Sequence, residues 1–318
     1  MNGKDQGMDA ETTTQDALDL MLGEARGRFF ATHWEREAFH AKGAPGRFAH
    51  LLNFQGFLAA LGEAALVKAG FRDAKGWYAD LKIEPGQAPR MIEAGMGLCA
   101  TQLQPSGAIG VFLASYKAGL RLAGVAQFNA YYSPDGLGFR LHLDDHPVFI
   151  LQLEGSKRWW YSVRPGAVRP GGSFQMPPDR RTAALAWGEV TAPTDDELEN
   201  VLLEPGDLLY LPAGCWHRTE AKGGSLALTL ATFGMTTAEL LQNLLMRDPL
   251  THRALMSRLP GTDRQGQDPE GAARLIAHLT ESLDRVRAHL AALPPEAAHA
   301  MWEELAARDL HGSVRKLG

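Results

Sequence analysis

Apolar positions change their period along the chain, and the change divides it. Near the start the period is helical. Leu18, Leu20, Met21 and Leu22 make one apolar face behind Thr14 and Gln15, with Thr14 placed to cap it. Phe29 to Phe39 mixes aromatic and charged residues at the same spacing, as in a helix packed on a larger core. Leu51 to Gly62 reads as a short helix capped at Asn53. Gly76 to Pro85 reads as a strand ending in a turn at Pro85-Gly86, and Ala94 to Leu103 as a strand or irregular segment. Val111 to Leu122 is helical again, with Phe112, Tyr116, Leu120 and Leu122 apolar.

Beyond it the period becomes two. In the strand from Val125 to Tyr132, the residues Val125, Gln127, Asn129 and Tyr131 share a face. Pro134-Asp-Gly136 turns the chain. Pro147 cannot donate a ladder hydrogen bond, so a strand carrying His142 should end near Asp144. Residues 148–153 and 157–163 read as two antiparallel strands joined by a hairpin at Glu154-Gly155-Ser156, with Lys157, Trp159 and Tyr161 on one face and Arg158 turned to solvent. Pro165 to Pro178, rich in glycine and proline, reads as a loop, the kind of segment that forms lids. Asp195 to Glu199 reads as a solvated acidic turn or short helix. Leu208 to Leu211 is a short buried strand between two turns, and Ser225 to Thr232 a closing strand. From 236 onward the chain reads as helical: Thr237 to Met246, then turn residues at Pro260, Gly261, Gly266 and Pro269, then Ala272 to Leu293 and Pro295 to about Arg308. The expected organisation is a polar, disordered tail over 1–14, a β-rich catalytic domain with an N-terminal helical approach over 15–235, and a helical region over 236–318.

Composition narrows the classes. A chain of 318 residues can build a sizeable core without staples. Its net charge of -5 argues against bulk nucleic-acid binding. Two cysteines, Cys99 and Cys215, form no disulfide framework and suit a reducing cytoplasm. The start of the chain lacks the apolar core of a signal peptide, and no apolar run approaches the roughly 20 residues of a membrane span. A soluble, cytoplasmic protein is expected.

The chemistry concentrates in two stretches. The first is Gly136-Leu-Gly-Phe-Arg-Leu-His142-Leu-Asp144; the second is Gly206-Asp-Leu-Leu-Tyr-Leu-Pro212-Ala-Gly214-Cys-Trp-His217. Ligands two residues apart on a strand point the same way, so His142 and Asp144 can share a metal, and His217 can supply a third ligand from a distant strand. Two histidines and one carboxylate leave coordination positions open, the arrangement of non-haem Fe(II) oxygenases. A lone His-x-Asp among eleven histidines would carry little. Asp145 turns away by alternation and His146 lies past the strand end; His33, His40 and His50 have no ligand spacing. Cys215 reads as a small buried residue in a tight turn rather than a redox-sensitive neighbour of the metal.

The spacing Gly206 to His217 is similar to the second motif of cupin barrels, and Gly136 precedes His142 as in the first. Asn129-Ala-Tyr131, His142-Leu-Asp144, Val148-Phe-Ile-Leu-Gln-Leu-Glu-Gly155 and Lys157-Arg-Trp159 resemble the JmjC branch of the cupins, the 2-oxoglutarate-dependent oxygenases, and within it the ribosomal oxygenases and their cupin-like relatives. The resemblance covers about 120–235 strongly and Phe29 to Leu52 weakly. It implies a double-stranded β-helix core with flanking N-terminal helices and a C-terminal helical region. It implies Fe(II) on His142, Asp144 and His217, with O2 and 2-oxoglutarate as cosubstrates. Lys157, with Tyr131 and Asn129, would hold the distal carboxylate of 2-oxoglutarate; Ser225, Thr229 or Thr232 could add a hydrogen bond. The implied activity is hydroxylation of a side-chain carbon of a protein or peptide, ribosomal or a biosynthetic precursor, releasing succinate and CO2.

Hydroxylation of a free small molecule in a biosynthetic pathway and N-demethylation stay open beside it. A metal-binding cupin without oxygenase activity is a third class, against which the Lys157-Tyr131-Asn129 set argues. The family carries dimerising helices and then a winged helix. This chain has helices, which predict a homodimer, but no strand pair of a wing, and that departure bears on ribosomal-protein specificity. Asp195, Asp196, Glu197 and Glu199 would make the barrel rim negative and favour a cationic partner.

Overall fold

The computed structural model describes residues 16–74, 78–168, 170–256 and 269–307. The tail expected over 1–14 and the turns expected between Pro260 and Gly266 lie outside the described residues.

The first helix, α1 (Ala17–Leu22), buries Ala17, Leu18, Met21 and Leu22. Its cap is Asp16, whose carboxylate accepts the Asp19 N–H. A second helical segment begins with α2 (Arg26–Arg28) and continues as a π-turn over Phe29–His33. It stops short of the expected Phe39, because the chain bends at Glu35 (φ 59) and Phe39 enters a strand, β1 (Phe39–Ala41). Phe29 anchors the segment in an aromatic cluster with Phe39, Phe149 and Tyr210. Helix α3 (Phe54–Ala60) is capped as expected, Asn53 accepting the Gly56 N–H. Two elements escape the pattern: strand β2 (Leu66–Arg72) and helix α4 (Ala88–Glu93), which follows the turn at Pro85.

The main sheet is antiparallel throughout its described ladders. Strands β3 (Tyr78–Lys82), β2 and β4 (Gly97–Thr101) lie beside β5 (Gly124–Ser133), and helix α5 (Gly107–Leu120) separates β4 from β5 in sequence. Next come β6 (His142–Leu143) and β7 (Val148–Tyr161). The remaining strands are β8 (Phe174–Gln175), β9 (Thr182–Leu185), β10 (Gly188–Thr191), β11 (Glu199–Leu203), β12 (Leu208–Leu211) and β13 (His217–Gly234). Strands β9 and β10 form a separate hairpin, and the spatial order of the main path is β1-β12-β7-β13-β5-β4-β2-β3. A mostly antiparallel sheet accompanied by helices is the architecture that the sequence resemblance implies.

Two expectations are corrected. Residues 148–163 form no hairpin: β7 is continuous, and β13 pairs with it from Val148 to Tyr161. The Glu154-Gly155-Ser156 triplet is paired within the ladder and lies between two bulges, one at Gly223-Gly224 on β13 and one at Leu153 on β7. Gly155 has φ 61, which glycine adopts readily in a turn or beside a bulge alike. The stretch from Pro165 to Pro178 is not a free lid either. Phe174 and Gln175 pair with Leu143 and His142, and Met176 is buried.

A second compact unit comprises 121–125 and the chain from 234. Its helices are α6 (Thr237–Arg247), α7 (Pro249–Leu255), α8 (Pro269–Ala292) and α9 (Pro295–Ala307). Thr236 caps α6 in a capping box with Glu239. Ala123, Leu244, Met301 and Leu305 form the core of the unit, and Arg247 pairs with Glu304 at 2.6 Å. No described helix is long and apolar enough to cross a membrane.

Candidate active site

The site is built where β6 meets β13. Pairing sets His217 opposite His142, and the two imidazole rings lie 4.0 Å apart between centroids. Asp144 follows β6, with its backbone carbonyl taking the Gly214 N–H at 2.7 Å, so the end of the first motif is tied to the turn of the second. One potential ligand atom from each of His142, Asp144 and His217 lies within 4.8 Å of the other two. Nδ1 of His142 faces the Arg140 carbonyl at 2.7 Å, and Nδ1 of His217 faces the Cys215 carbonyl at 3.0 Å. Each Nδ1–H is thereby committed to a carbonyl, leaving Nε2 lone pairs free for a cation.

Electrostatics agree. Burial and the neighbouring His142 push His217 down to about 3, so the ring is neutral. Burial alone would raise Asp144, but the nearby histidines, His142 first, and a hydrogen bond with the Ser173 side chain outweigh it and hold the carboxyl below its ordinary value. A neutral His217 beside an ionised Asp144 is the protonation state a divalent metal requires of those two ligands. This donor set, one face of nitrogen and oxygen ligands, fits Fe(II).

Inward from the triad lies a cavity of about 100 Å³. Tyr131, Lys157, Thr219 and Thr229 give it polar wall; Phe139, Val148, Trp159 and Ala227 give it apolar wall. Trp159 stacks on His217 at 5.7 Å, and its indole nitrogen has no hydrogen-bond partner. Lys157 is 2% exposed. Its ammonium donates to Ser133 Oγ at 2.9 Å and pairs with no carboxylate among the described residues. Burial pushes its pKa down to about 8.

The structure therefore brings His142, Asp144, His217, Lys157 and Tyr131 around one cavity. Asn129 is set back from it: its side-chain oxygen takes the Gln102 N–H at 2.9 Å, and the Tyr131 hydroxyl interacts with the side chains of Asn129 and Cys99. Of the three hydroxyls on the closing strand, Thr229 lines the cavity. Ser225 accepts from Gln152, and Thr232 is paired with the Tyr116 hydroxyl at 2.7 Å. Asp145 and His146 bind each other at 2.8 Å, outside the triad. Arg158 reaches Asn200. Cys215 is buried and its thiol is pushed up to about 12, which suits a packing residue. The acidic stretch is partly neutralised, Asp195 by Arg218 at 3.3 Å and Glu197 by Arg181 at 4.0 Å. Sequence reading missed Ser133, Phe139 and Thr219. Ser133 alone had a local signal, its place two residues after Tyr131 on the same strand face.

Comparison with known proteins agrees with this geometry. Residues 117–240 match the family model described as the JmjC domain. Ribosomal oxygenase 2 of Rattus norvegicus is 40% identical over 110 residues, covering 33% of this chain and 20% of that protein. The uncharacterized protein YxbC of Bacillus subtilis is 26% identical over 239 residues, 70% of this chain and 72% of that one. The chain thus spans about a fifth of the length of the rat relative. Among solved structures, the ribosomal oxygenase YcfD of Escherichia coli, in complex with cobalt and 2-oxoglutarate, superposes with a TM-score of 0.59 at 17% identity, over 92% of this chain and 73% of that chain. Over residues 117–240 the chain is thus similar to the JmjC domain, and its fold is that of the YcfD oxygenase structure.

Proposed function

We propose that the protein is an Fe(II)- and 2-oxoglutarate-dependent oxygenase that hydroxylates a side-chain carbon of a protein or peptide and releases succinate and CO2. The observation that carries this reading is Lys157: an ammonium buried without an acidic partner among the described residues, lining the same cavity as the triad. A buried charge of that kind is stabilised by a ligand of opposite sign. His142, Asp144 and His217 would hold the metal, and Lys157 with Tyr131 the distal carboxylate of 2-oxoglutarate. Bound together, metal and 2-oxoglutarate activate O2 and supply the oxidising power. The apolar wall of Phe139, Val148, Trp159 and Ala227 would keep water from them. His142 and His217 would offer their Nε2 atoms to the metal, since their Nδ1–H groups are fixed on carbonyls.

A cavity of about 100 Å³ has room for one small molecule. With 2-oxoglutarate inside, the target must be offered from the mouth, as a polypeptide side chain can be. The relatives named ribosomal oxygenases point to a ribosomal protein or a similar peptide. The pairing of Asp195 and Glu197 with arginines weakens the case for a strongly negative rim, so a cationic target rests on less. Helix α8 exposes Ile276, Leu279 and Leu283 at 64%, 45% and 65%, an apolar stripe consistent with a homodimer. Light scattering at micromolar concentration tests that assembly, and a monomer mass would rule it out.

The activity is tested by aerobic incubation with Fe(II), 2-oxoglutarate and a tryptic or ribosomal peptide fraction. The expected products are succinate and peptides heavier by one oxygen. Efficient turnover of a free metabolite with every peptide unmodified would move the reading to small-molecule hydroxylation. A protein that binds metal but consumes no 2-oxoglutarate with any substrate would be a cupin without oxygenase activity.

A further inference from the structure

One buried contact lies just behind the proposed cosubstrate pocket. Ser133, the last residue of β5, is 4% exposed, and its Oγ accepts the Lys157 ammonium at 2.9 Å. It does not line the cavity, while Lys157 does. An ammonium has three donors. One goes to Ser133, and the described residues give the other two no carboxylate. The long side chain of a lysine has several rotamers, and a single fixed acceptor at its tip selects among them. Resting on the oxygenase reading above, we propose that Ser133 is a positioning residue: its hydroxyl oxygen holds the Lys157 amine as an ammonium turned to the cavity before the distal carboxylate of 2-oxoglutarate arrives.

Two effects of the hydroxyl can be separated. It orients the amine, and as an acceptor it favours the charged over the neutral form. Burial already brings Lys157 down to about 8. Without Ser133 Oγ the ammonium would lose its one hydrogen-bond acceptor in a water-poor site, and the amine would give up its proton about one pH unit lower. The other titratable groups facing the pocket stay silent in that window. Tyr131 on β5 is held well above 10 and Cys99 on β4 is raised to about 12, both by burial. Asp144, which follows β6, His142 on β6 and His217 on β13 would be occupied by metal in the loaded protein.

The test is calorimetric titration of 2-oxoglutarate into the Mn(II)-loaded full chain from pH 6.5 to 9.5, for wild type, Ser133→Ala and Ser133→Thr, with Mn(II) affinity measured alongside to confirm an intact triad. Wild-type affinity should fall as the pH rises through about 8. Ser133→Ala should bind about twofold more weakly at pH 7 but about tenfold more weakly at pH 9, because its alkaline limb lies about one pH unit lower. Threonine keeps the hydroxyl and should restore the wild-type limb. A role in packing alone would weaken binding by one factor at every pH and would leave the limb in place; that result, or unchanged affinity in Ser133→Ala, overturns the proposal. If wild type binds Mn(II) but no 2-oxoglutarate, both this inference and the oxygenase reading fall.

Discussion

Replacing Lys157 by methionine should move affinity and stability in opposite directions. Methionine keeps the length of the side chain and removes the charge. A distal carboxylate brought into the cavity would then be buried without its cation. Breaking a buried ion pair by deleting one partner costs about 3–5 kcal/mol, or about two to three and a half decades in affinity. Stability runs the other way. In the unfolded chain the amine has its ordinary value of 10.5, and in the fold it lies at about 8. Below pH 8 the amine is protonated in both states, and folding carries the full penalty of burying the ammonium. At 1.36 kcal/mol per pH unit that is about 3 kcal/mol, and it fades as the pH rises from 8 to 10.5. Lys157→Met should therefore raise the unfolding free energy at pH 7 by up to about 3 kcal/mol, with a gain that shrinks at pH 9.5. Urea titration at the two pH values reads the stability, and calorimetry with Mn(II) and 2-oxoglutarate reads the affinity. A methionine variant that is less stable at pH 7, or that binds 2-oxoglutarate as wild type does, would refute the view that Lys157 is kept, at a cost in stability, for an anionic ligand.

Three further outcomes are expected. Alanine at His142, Asp144 or His217 should each weaken Mn(II) binding on the order of a hundredfold or more, read by electron paramagnetic resonance of the free ion, and wild-type affinity in any of them would remove that residue from the triad. Asp207→Ala should destabilise by about 3 kcal/mol, since its buried carboxylate accepts the Gly43 and Glu204 N–H groups and pairs with Lys42. Those contacts outweigh burial and hold the Asp207 carboxyl below 3.8, so its contribution is intact at neutral pH and lost as the pH falls through that lowered value; an urea midpoint equal to wild type at pH 7 would contradict this. Gly155→Ala should cost about 2–4 kcal/mol, because a Cβ there meets the Gly224 carbonyl oxygen at 2.1 Å on a backbone with φ 61; a melt within one degree of wild type would show that the bulged ladder yields freely.

The parts of the molecule that could be read from sequence are those set by local period and spacing. Alternation on a strand places His142 and Asp144 on one side, and the turns around Gly206 and Gly214 return His217 to them. The Asn53 cap and the helix around Tyr116 were legible for the same reason. What failed depends on partners far away in sequence. Glu154-Gly155-Ser156 has the chemistry of a hairpin, yet a strand between two bulges takes the same glycine, and only the pairing of β13 along β7 decides between them. Phe174 and Gln175 sit in a segment of loop composition and become a strand because β6 offers them an edge. Helix α4 was hidden behind a Pro-Gly that reads as a turn and in fact opens a 3-10 turn leading into the helix. Ser133 showed only its place on the Tyr131 face, and its value lies in Lys157, which a change of strand brings to it.

Several buried polar groups in the catalytic unit are met by their own neighbours, while His40 Nε2, Arg140 Nε, Gln152 Oε1 and Trp216 Nε1 have no hydrogen-bond partner among the described residues. Asp207 is met by two N–H groups and Lys42, and the Tyr116 hydroxyl by Thr232. Each is satisfied by its own neighbours, as a group with a purely structural role must be if it is not to cost stability. Around the cavity, groups short of partners gather: among the described residues Lys157 has one neutral acceptor, the indole nitrogen of Trp159 has none, and two imidazoles and a carboxylate bring their ligand atoms within 4.8 Å of one another. Folding alone does not favour gathering such groups, because each is better solvated in the unfolded chain. Two charges of opposite sign, a metal cation at one end and a ligand carboxylate at the other, satisfy most of the set at once. A buried ammonium and a candidate metal triad lining one cavity are what the proposed combination of a metal and a ligand carboxylate would satisfy together.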